Sequence, residues 1–343
     1  MQCLLAVRGP STRSIGVVRS ASTQSERTKY DVRVDATRSR EISRTHASRE
    51  DDPSRGDRIL RAVRIPAVAL GLGMVGLVLA DLRGRASLAG RARIMATARG
   101  PIELEITGEG PAVLVLHGGL GGFDQGSWIA HALDLRAHRV IAVSRPDYLG
   151  TPAVASLDAE ADLYVAALDA LGIERVAVVG VSAGGVSTLH LASRHPQRVT
   201  RVVMVSAVSG PAAGPGLGVA WFVLRASADV NKSLLAAALD PAKRQLVAGL
   251  FRTFASPERR VRGGLRDLRL SGSFPPPTGI TVAALVVHGT ADDAVPFAHA
   301  ERTVRGCTNA TLAPIDGGRH LALVTHAEVG ERVREFLTPD VPK

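Results

Sequence analysis

The sequence predicts an α/β fold with a mostly parallel sheet that helices cover on both faces. From about residue 92, short apolar stretches alternate with stretches of helical periodicity, the pattern typical of such a sheet. Within 320–337, apolar residues at helical spacing form a stripe that faces the core. Predicted strands lie at 101–107, 112–117, 139–144, 175–181, 199–207, 281–288 and 310–315, and predicted helices near 127–136, 157–171, 183–194, 297–305 and 320–337.

One interval, 209–280, is too long for an ordinary connection between strands and predicts a helical insertion. Between Arg225 and Arg269 it holds ten basic residues against four acidic ones. That excess either favours an anionic substrate or forms a solvated basic face. The apolar residues form either a small core of the insertion itself or a wall of a substrate pocket. They are Trp221, Phe222, Leu234, Leu235, Leu246, Leu250 and Phe251.

Ser182 is the predicted nucleophile. It interrupts an apolar run that breaks into glycines, and Gly180 and Gly184 complete a G-x-S-x-G pattern around it. Small residues permit the sharp strand–turn–helix that exposes a nucleophile. The N–H of Ala183, at the helix start, could stabilise a developing oxyanion. The pattern alone also fits a serine in an ordinary glycine-rich turn, so the interpretation needs further residues.

A second glycine-rich loop, His117-Gly118-Gly119, follows another predicted strand. In acyl-transfer sites such a loop supplies a second oxyanion N–H. We expect this N–H from Gly119, with Leu120 as the alternative. His117 is expected to brace the loop rather than to take part in catalysis.

Two later turns carry the partners that a serine nucleophile needs. Asp292 and Asp293 follow the predicted strand at 281–288, and either could accept a hydrogen bond from a catalytic histidine. His320 follows a short strand and opens the final helix. Serine, aspartate, histidine is the chain order of nucleophile-elbow enzymes, so His320 is the predicted general base.

With these motifs, the chain from about Ala92 to Leu337 resembles the α/β-hydrolase superfamily, in its capped branch of esterases, lactonases and carbon–carbon bond hydrolases. The resemblance implies that 209–280 is a cap over the active site. It also assigns the acid to Asp292, the third residue after the glycine in the family's G-x-x-D-x-x-V-P pattern. The matching pieces are His117-Gly118-Gly119, Gly180-Val181-Ser182-Ala183-Gly184, the stretch from Gly289 to Pro296, and Gly317-Gly318-Arg319-His320.

The sequence departs from the family at two places. Arg319 is inserted between the glycines and His320, where the family often has Gly-His directly. Residues 144–150 stand where the family usually has an Asp-x-x-Gly-x-Gly loop. Both departures leave the predicted triad intact.

The predicted function is a serine hydrolase that cleaves a small or medium carboxylic ester or lactone through Ser182, His320 and Asp292. The partner is a small-molecule carbonyl substrate, and no cofactor or metal is expected. A carbon–carbon bond hydrolase or a cofactor-free haloperoxidase on the same triad is the alternative. Serine at the elbow argues against epoxide and haloalkane chemistry. A ligand receptor with this pocket, or a basic membrane-associated adaptor based on residues 1–99, is the non-enzyme alternative.

The front of the chain carries all of its net charge of +10. Residues 1–99 hold 19 basic and 9 acidic residues, whereas residues 100–343 hold 23 of each. A hydrolase domain without a basic excess argues against nucleic acid as a partner. Residues 1–58, rich in Arg, Ser and Thr, are expected to be disordered or a non-native extension, with a transit peptide as a further alternative.

Residues 59–91 form a basic segment around 16 uncharged residues, 65–80. As a helix this run spans about 24 Å, and flanking arginines could snorkel across the remainder of a ~30 Å bilayer core. We therefore expect a membrane-associated protein with its hydrolase domain at 92–343. Secretion after cleavage near Ala80 and a cytoplasmic location are the alternatives.

Overall fold

The computed structural model describes residue 88 and residues 90–210, 217–273 and 278–338. The predicted N-terminal extension, 1–58, and the apolar segment at 65–80 lie outside the described residues.

Eight strands within these ranges form one sheet, in the order β1-β2-β4-β3-β5-β6-β7-β8. Strands β1 and β2 form an antiparallel hairpin, and β2 also pairs antiparallel with β4. All other neighbours are parallel, which confirms the predicted mostly parallel sheet. The strands are β1 (Arg93–Thr97), β2 (Gly100–Thr107), β3 (Ala112–Leu116), β4 (Arg139–Val143), β5 (Val176–Val181), β6 (Val199–Val205), β7 (Ala284–Gly289) and β8 (Ala310–Ile315).

Helices pack on both faces of the sheet. On β3, Leu114 and Leu116 point into one apolar core, and Val113 and Val115 point into the other. Both faces are buried because side chains alternate along a strand and each face meets helices. The helices are α1 (Phe123–Ala132), α2 (Leu157–Ala170), α3 (Gly184–Arg194), α4 (Leu217–Leu239), α5 (Arg244–Arg252), α6 (Val261–Ser273), α7 (Ala298–Gly306), α8 (Ala322–Thr325) and α9 (Glu328–Leu337).

Strand β1 and the C-terminal helices differ from the prediction. Strand β1 lies at the sheet edge and exposes 64% of Ile94, so its sequence lacks the apolar run of a buried strand. The predicted helix at 320–337 is two helices, α8 and α9, because His326 between them has extended backbone at φ −126° and ψ 111°. Helix α1 begins at Phe123, four residues before its predicted start.

The predicted insertion between β6 and β7 is helical, with α4, α5 and α6. We call these three helices and their connections the cap. Leu234 and Leu250 are buried in the apolar core beside α1, whereas Leu235 and Phe251 are 66% and 58% exposed. The apolar residues of the cap therefore divide between packing and the surface.

The structure contradicts the expected localisation at a membrane. In the part of the chain that it describes, no helix is long and apolar enough to cross a bilayer. Helix α4 has 23 residues, but its sequence includes Arg225, Asp229 and Lys232, and charges are costly in hydrocarbon. The segment at 65–80, on which the expectation rested, is outside the described ranges.

Candidate active site

The predicted nucleophile, Ser182, lies at a sharp turn between β5 and α3. Its φ is +51°, in the left-handed region that residues other than glycine seldom adopt. The turn is held by the backbone, because Ser182 N donates to Val205 O at 3.2 Å and Ser182 O accepts from Gly185 N and Val208 N. A strained residue that its surroundings fix in this way is typical of a functional site.

The flanking glycines are required by close packing rather than by their own torsion angles. A Cβ on Gly180 would overlap the Thr188 side chain, and a Cβ on Gly184 would overlap the backbone oxygen of Leu116. The turn therefore fits against α3 and β3 only because these positions carry no side chain.

The structure brings the three predicted catalytic side chains together. They follow the carboxyl ends of β5, β7 and β8, which meet at one edge of the parallel sheet. Ser182 Oγ lies 3.0 Å from His320 Nε2, and His320 Nδ1 lies 3.0 Å from Asp292 Oδ2. This geometry allows Ser182 to donate to a neutral His320 that in turn donates to Asp292.

Asp292 and Asp293 occupy different environments. The side chain of Asp292 is fully buried, and its second oxygen, Oδ1, accepts the N–H groups of Ala294 and Val295 at 3.0 and 2.8 Å. The side chain of Asp293 is 48% exposed and faces Arg319 at 3.5 Å. Only Asp292 is therefore placed to orient His320.

Electrostatics favour a charged Asp292 beside a basic His320. Burial opposes the charge of His320, but attraction and a hydrogen bond to Asp292, with a smaller contribution from Asp229, raise its pKa above the ordinary histidine value. Burial likewise opposes the charge of Asp292, yet His320 and the backbone N–H of Val295 lower the pKa of its carboxyl. Nearby His288 donates to Val295 O at 2.8 Å, and burial lowers its pKa.

His117 lies behind the predicted oxyanion loop and is fully buried. Its Nε2 accepts the backbone N–H of Arg145 at 3.0 Å, and its Nδ1 contacts Gly118 O at 2.7 Å. Burial, followed by the charge of Arg145, lowers the pKa of His117 well below its usual value. A neutral His117 with the proton on Nδ1 satisfies both contacts, so it braces the loop without touching Ser182.

Two backbone N–H groups, those of Gly119 and Ala183, are available for an oxyanion. Leu120, the sequence alternative, directs its N–H at Tyr148 Oη at 3.4 Å. Among the described residues, neither Gly119 N nor Ala183 N donates to a protein acceptor. A Cβ on Gly119 would lie 4.0 Å from Ala183 Cβ, so the two segments face each other.

In both candidate oxyanion peptides, the carbonyl group is polarised by contacts with hydrogen-bond donors. The Gly118 carbonyl, which belongs to the same peptide as Gly119 N, contacts His117 Nδ1 and lies 3.4 Å from Arg145 Nη2. The Ser182 carbonyl, which belongs to the peptide of Ala183 N, accepts two backbone N–H groups. Hydrogen bonds to a carbonyl strengthen the N–H of the same peptide as a donor.

The cap contributes a residue that sequence reasoning missed. Asp229, on α4, has a fully buried side chain; Oδ2 accepts the backbone N–H of His320 at 2.9 Å, and Oδ1 lies 2.7 Å from Arg319 Nη1. The inserted Arg319, which looked like a departure from the family, therefore joins the His320 backbone N–H in linking the histidine loop to the cap. Nothing near Asp229 in the sequence signals this contact.

Within the described ranges, three further ion pairs join the cap to the rest of the domain. Asp267 pairs with Arg145 at 2.7 and 2.5 Å and accepts from Tyr148 Oη at 2.6 Å. Through Arg145 and Tyr148, the unusual loop at 144–150 thus contacts α6. The other two pairs are Arg260–Asp124 at 2.9 Å and Arg266–Glu160 at 2.7 Å.

Ser182 and His320 lie between two lobes of a cavity. The larger lobe, about 320 Å³, is lined mainly by aliphatic side chains and also by Arg145 and Asp267. The smaller lobe, about 120 Å³, lies toward Trp128. In the described ranges, no group of three or more His, Cys, Asp or Glu side chains could hold a metal ion.

Comparisons with known proteins agree with this fold. The family model described as alpha/beta hydrolase fold matches residues 111–265. Two 2-hydroxymuconate semialdehyde hydrolases are similar to this chain. The enzyme of Pseudomonas sp. (strain CF600) is 32% identical over 57% of this chain and 75% of its own length. The enzyme of Pseudomonas putida is 29% identical over 66% of this chain and 87% of its own length.

A solved structure, the alpha/beta hydrolase fold protein from Nakamurella multipartita, superimposes with a TM-score of 0.62 and 31% identity. The match covers 72% of this chain and 98% of that protein. The chain therefore belongs to the α/β-hydrolase fold family of hydrolytic enzymes.

Proposed function

We propose that this protein is a serine hydrolase that cleaves a carboxylic ester or lactone through an acyl-enzyme. The observation that carries the proposal is the line of hydrogen-bond contacts from Ser182 through His320 to buried Asp292, each 3.0 Å long. A nucleophile, a base and an orienting acid in this arrangement are the requirements of acyl transfer.

In the proposed mechanism, His320 Nε2 takes the proton of Ser182 while Ser182 Oγ attacks the substrate carbonyl carbon. The N–H groups of Gly119 and Ala183 stabilise the oxyanion, and Asp292 stabilises the imidazolium of His320. The imidazolium then protonates the departing alcohol, and the acyl group remains on Ser182. Water, deprotonated by His320, attacks the acyl-enzyme, and the acid leaves with Ser182 restored.

The second candidate is a carbon–carbon bond hydrolase on the same triad. The names of the two relatives, 2-hydroxymuconate semialdehyde hydrolases, favour it. Both candidates require Ser182 and His320, so they differ in the substrate rather than in the residues that act.

Fluorophosphonate labelling combined with an ester and lactone panel tests the proposal. Ser182→Ala should lose labelling and reduce hydrolysis by about 10⁴-fold or more, since triad nucleophiles contribute on this scale. Ser187→Ala is the matched control: Ser187 lines the same cavity, but its Oγ donates to Glu160 at 2.6 Å. The control should still be labelled.

Labelling of Ser182→Ala at another serine, with activity retained, would overturn the nucleophile assignment. Cleavage of a 2-hydroxymuconate semialdehyde without cleavage of any ester or lactone would favour the carbon–carbon candidate.

A further inference from the structure

The charges that line the larger lobe are already paired with each other. Arg145 is 1% exposed, and its two terminal nitrogens contact both oxygens of Asp267. Tyr148 adds a hydrogen bond to the same carboxylate. Burial opposes the charge of Arg145, but attraction to Asp267 raises its pKa overall, so Arg145 stays charged.

Among the described residues, the ionisable side chains that line the two lobes are Arg145, Asp267 and His320. His320 is neutral when it acts as a base. The remaining pair has no net charge, and Asp267 belongs to the cap whereas Arg145 belongs to the loop after β4.

Apart from that pair, both lobes are lined mainly by apolar side chains, with Ser187 and Ser227 in the larger lobe and Gln125 in the smaller one. Val186, Val208 and Leu268 line the larger lobe. Ile129 and Leu323 line the smaller one. A carbonyl placed at Ser182 would therefore have mainly apolar surroundings for the groups on both sides of its scissile bond.

From these observations we infer that the substrate is a neutral ester or lactone with apolar groups on both sides of the scissile bond, and that Asp267 sets this specificity by neutralising Arg145. The inference rests on the proposed function. A substrate carboxylate in the larger lobe would lose its water, find an arginine already paired, and meet the negative charge of Asp267. Among the described residues, no basic side chain of the cap lines either lobe.

Asp267 is therefore a specificity determinant rather than a catalytic residue. Asp267→Asn keeps the size of the side chain and one acceptor for Arg145 while removing the negative charge. The uncompensated Arg145 should then attract a carboxylate into the larger lobe. The double variant Arg145→Met/Asp267→Asn removes both charges and should abolish that attraction.

Matched esters test the inference. One pair is p-nitrophenyl hexanoate and the p-nitrophenyl monoester of adipic acid, in which the charge lies on the acyl side. The other pair is phenyl acetate and 4-carboxyphenyl acetate, in which it lies on the alcohol side. We expect the wild-type enzyme to prefer the neutral member of each pair by at least about 100-fold in kcat/KM, a difference of about 2.7 kcal/mol.

Asp267→Asn should raise kcat/KM for an anionic member relative to its neutral partner by about 10-fold or more, and the double variant should not. Asp293→Asn, the same charge change at an exposed position outside the cavity lining, is the matched control and should leave both ratios unchanged.

The outcomes separate the two proposals. Failure to hydrolyse any of the four esters contradicts the proposed ester chemistry. Hydrolysis with a wild-type preference for an anionic ester overturns the neutral-substrate inference and leaves the ester chemistry standing. A folded Asp267→Asn enzyme with unchanged ratios overturns the role of Asp267. If that variant does not fold, the wild-type ratios still decide the substrate class.

Discussion

The domain around the sheet and the cap meet at the same cavity, but different interactions hold them in place. Ser182 is fixed by backbone hydrogen bonds to β6 and by glycines packed against neighbouring elements. The cap contacts the sheet domain through apolar residues such as Leu234 and Leu250, and it adds ion pairs between charged side chains, most of them buried. These ion pairs are Arg145–Asp267, Arg260–Asp124, Arg266–Glu160 and Arg319–Asp229.

This difference predicts two kinds of sensitivity to mutation. Backbone hydrogen bonds survive most side-chain changes, so the position of Ser182 depends on the few residues that must stay small. A buried ion pair responds strongly to a single substitution, because removing one partner leaves an uncompensated charge. Four predictions, in order of decreasing effect, test this comparison.

The largest effect is expected within the sheet domain, at the triad acid. Asp292→Asn should lower kcat by about 10⁴-fold, because His320 loses the charge that fixes its tautomer and stabilises its imidazolium. Steady-state kinetics on an ester measure the loss. Asp293→Asn is the matched control and should be mild, since its side chain is 48% exposed. A larger decrease in kcat in Asp293→Asn than in Asp292→Asn would mean that the triad acid has been assigned to the wrong residue.

The second prediction concerns the attachment of the cap. Arg260 and Asp124 are 1% and 3% exposed, so Arg260→Met should lower the free energy of unfolding by about 3–5 kcal/mol. The double variant Arg260→Met/Asp124→Leu should recover much of the loss, because no buried charge then lacks a partner. Urea denaturation measures both values.

Arg262→Met is the control for this prediction, since Arg262 is an exposed arginine two positions further along the chain, in α6. It should leave the free energy of unfolding nearly unchanged. An equal loss in Arg260→Met and Arg262→Met would show that the Arg260–Asp124 pair does not hold the cap.

The difference between the sheet domain and the cap also explains which parts of the fold and of the candidate site can be predicted from the sequence alone. The sheet domain and the positions of Ser182 and His320 follow from local signals: apolar runs, glycines and chain order. Strand β1 lacked such a signal because it is an exposed edge strand. Asp229 and Asp267 could not be singled out, because their partners His320 and Arg145 lie 91 and 122 positions away in the chain and no local pattern links residues at that distance.

The third prediction tests whether the cap positions the base. Asp229→Asn should lower kcat by about 10- to 100-fold with a smaller change in KM, because the backbone of His320 loses a charged acceptor while the cavity walls stay in place. Arg319→Met leaves the contact between Asp229 and the His320 N–H intact, so it should lower kcat less. Equal decreases in kcat in both variants would mean that the Arg319–Asp229 pair, rather than the hydrogen bond to His320, positions the base.

The smallest effect is a shift in the pH profile. A base must be neutral to act, so kcat/KM falls as the pH drops through the pKa of His320 in the free enzyme. Burial lowers this pKa, but Asp292, and to a smaller extent Asp229, raise it above the ordinary histidine value. The acidic limb of the wild-type profile should therefore lie above that value. Asp229→Asn removes one of the raising charges, so its acidic limb should move to lower pH, whereas Arg319→Met should not move it in that direction. A limb that stays in place in Asp229→Asn while kcat falls would restrict Asp229 to a purely mechanical role in holding the histidine loop.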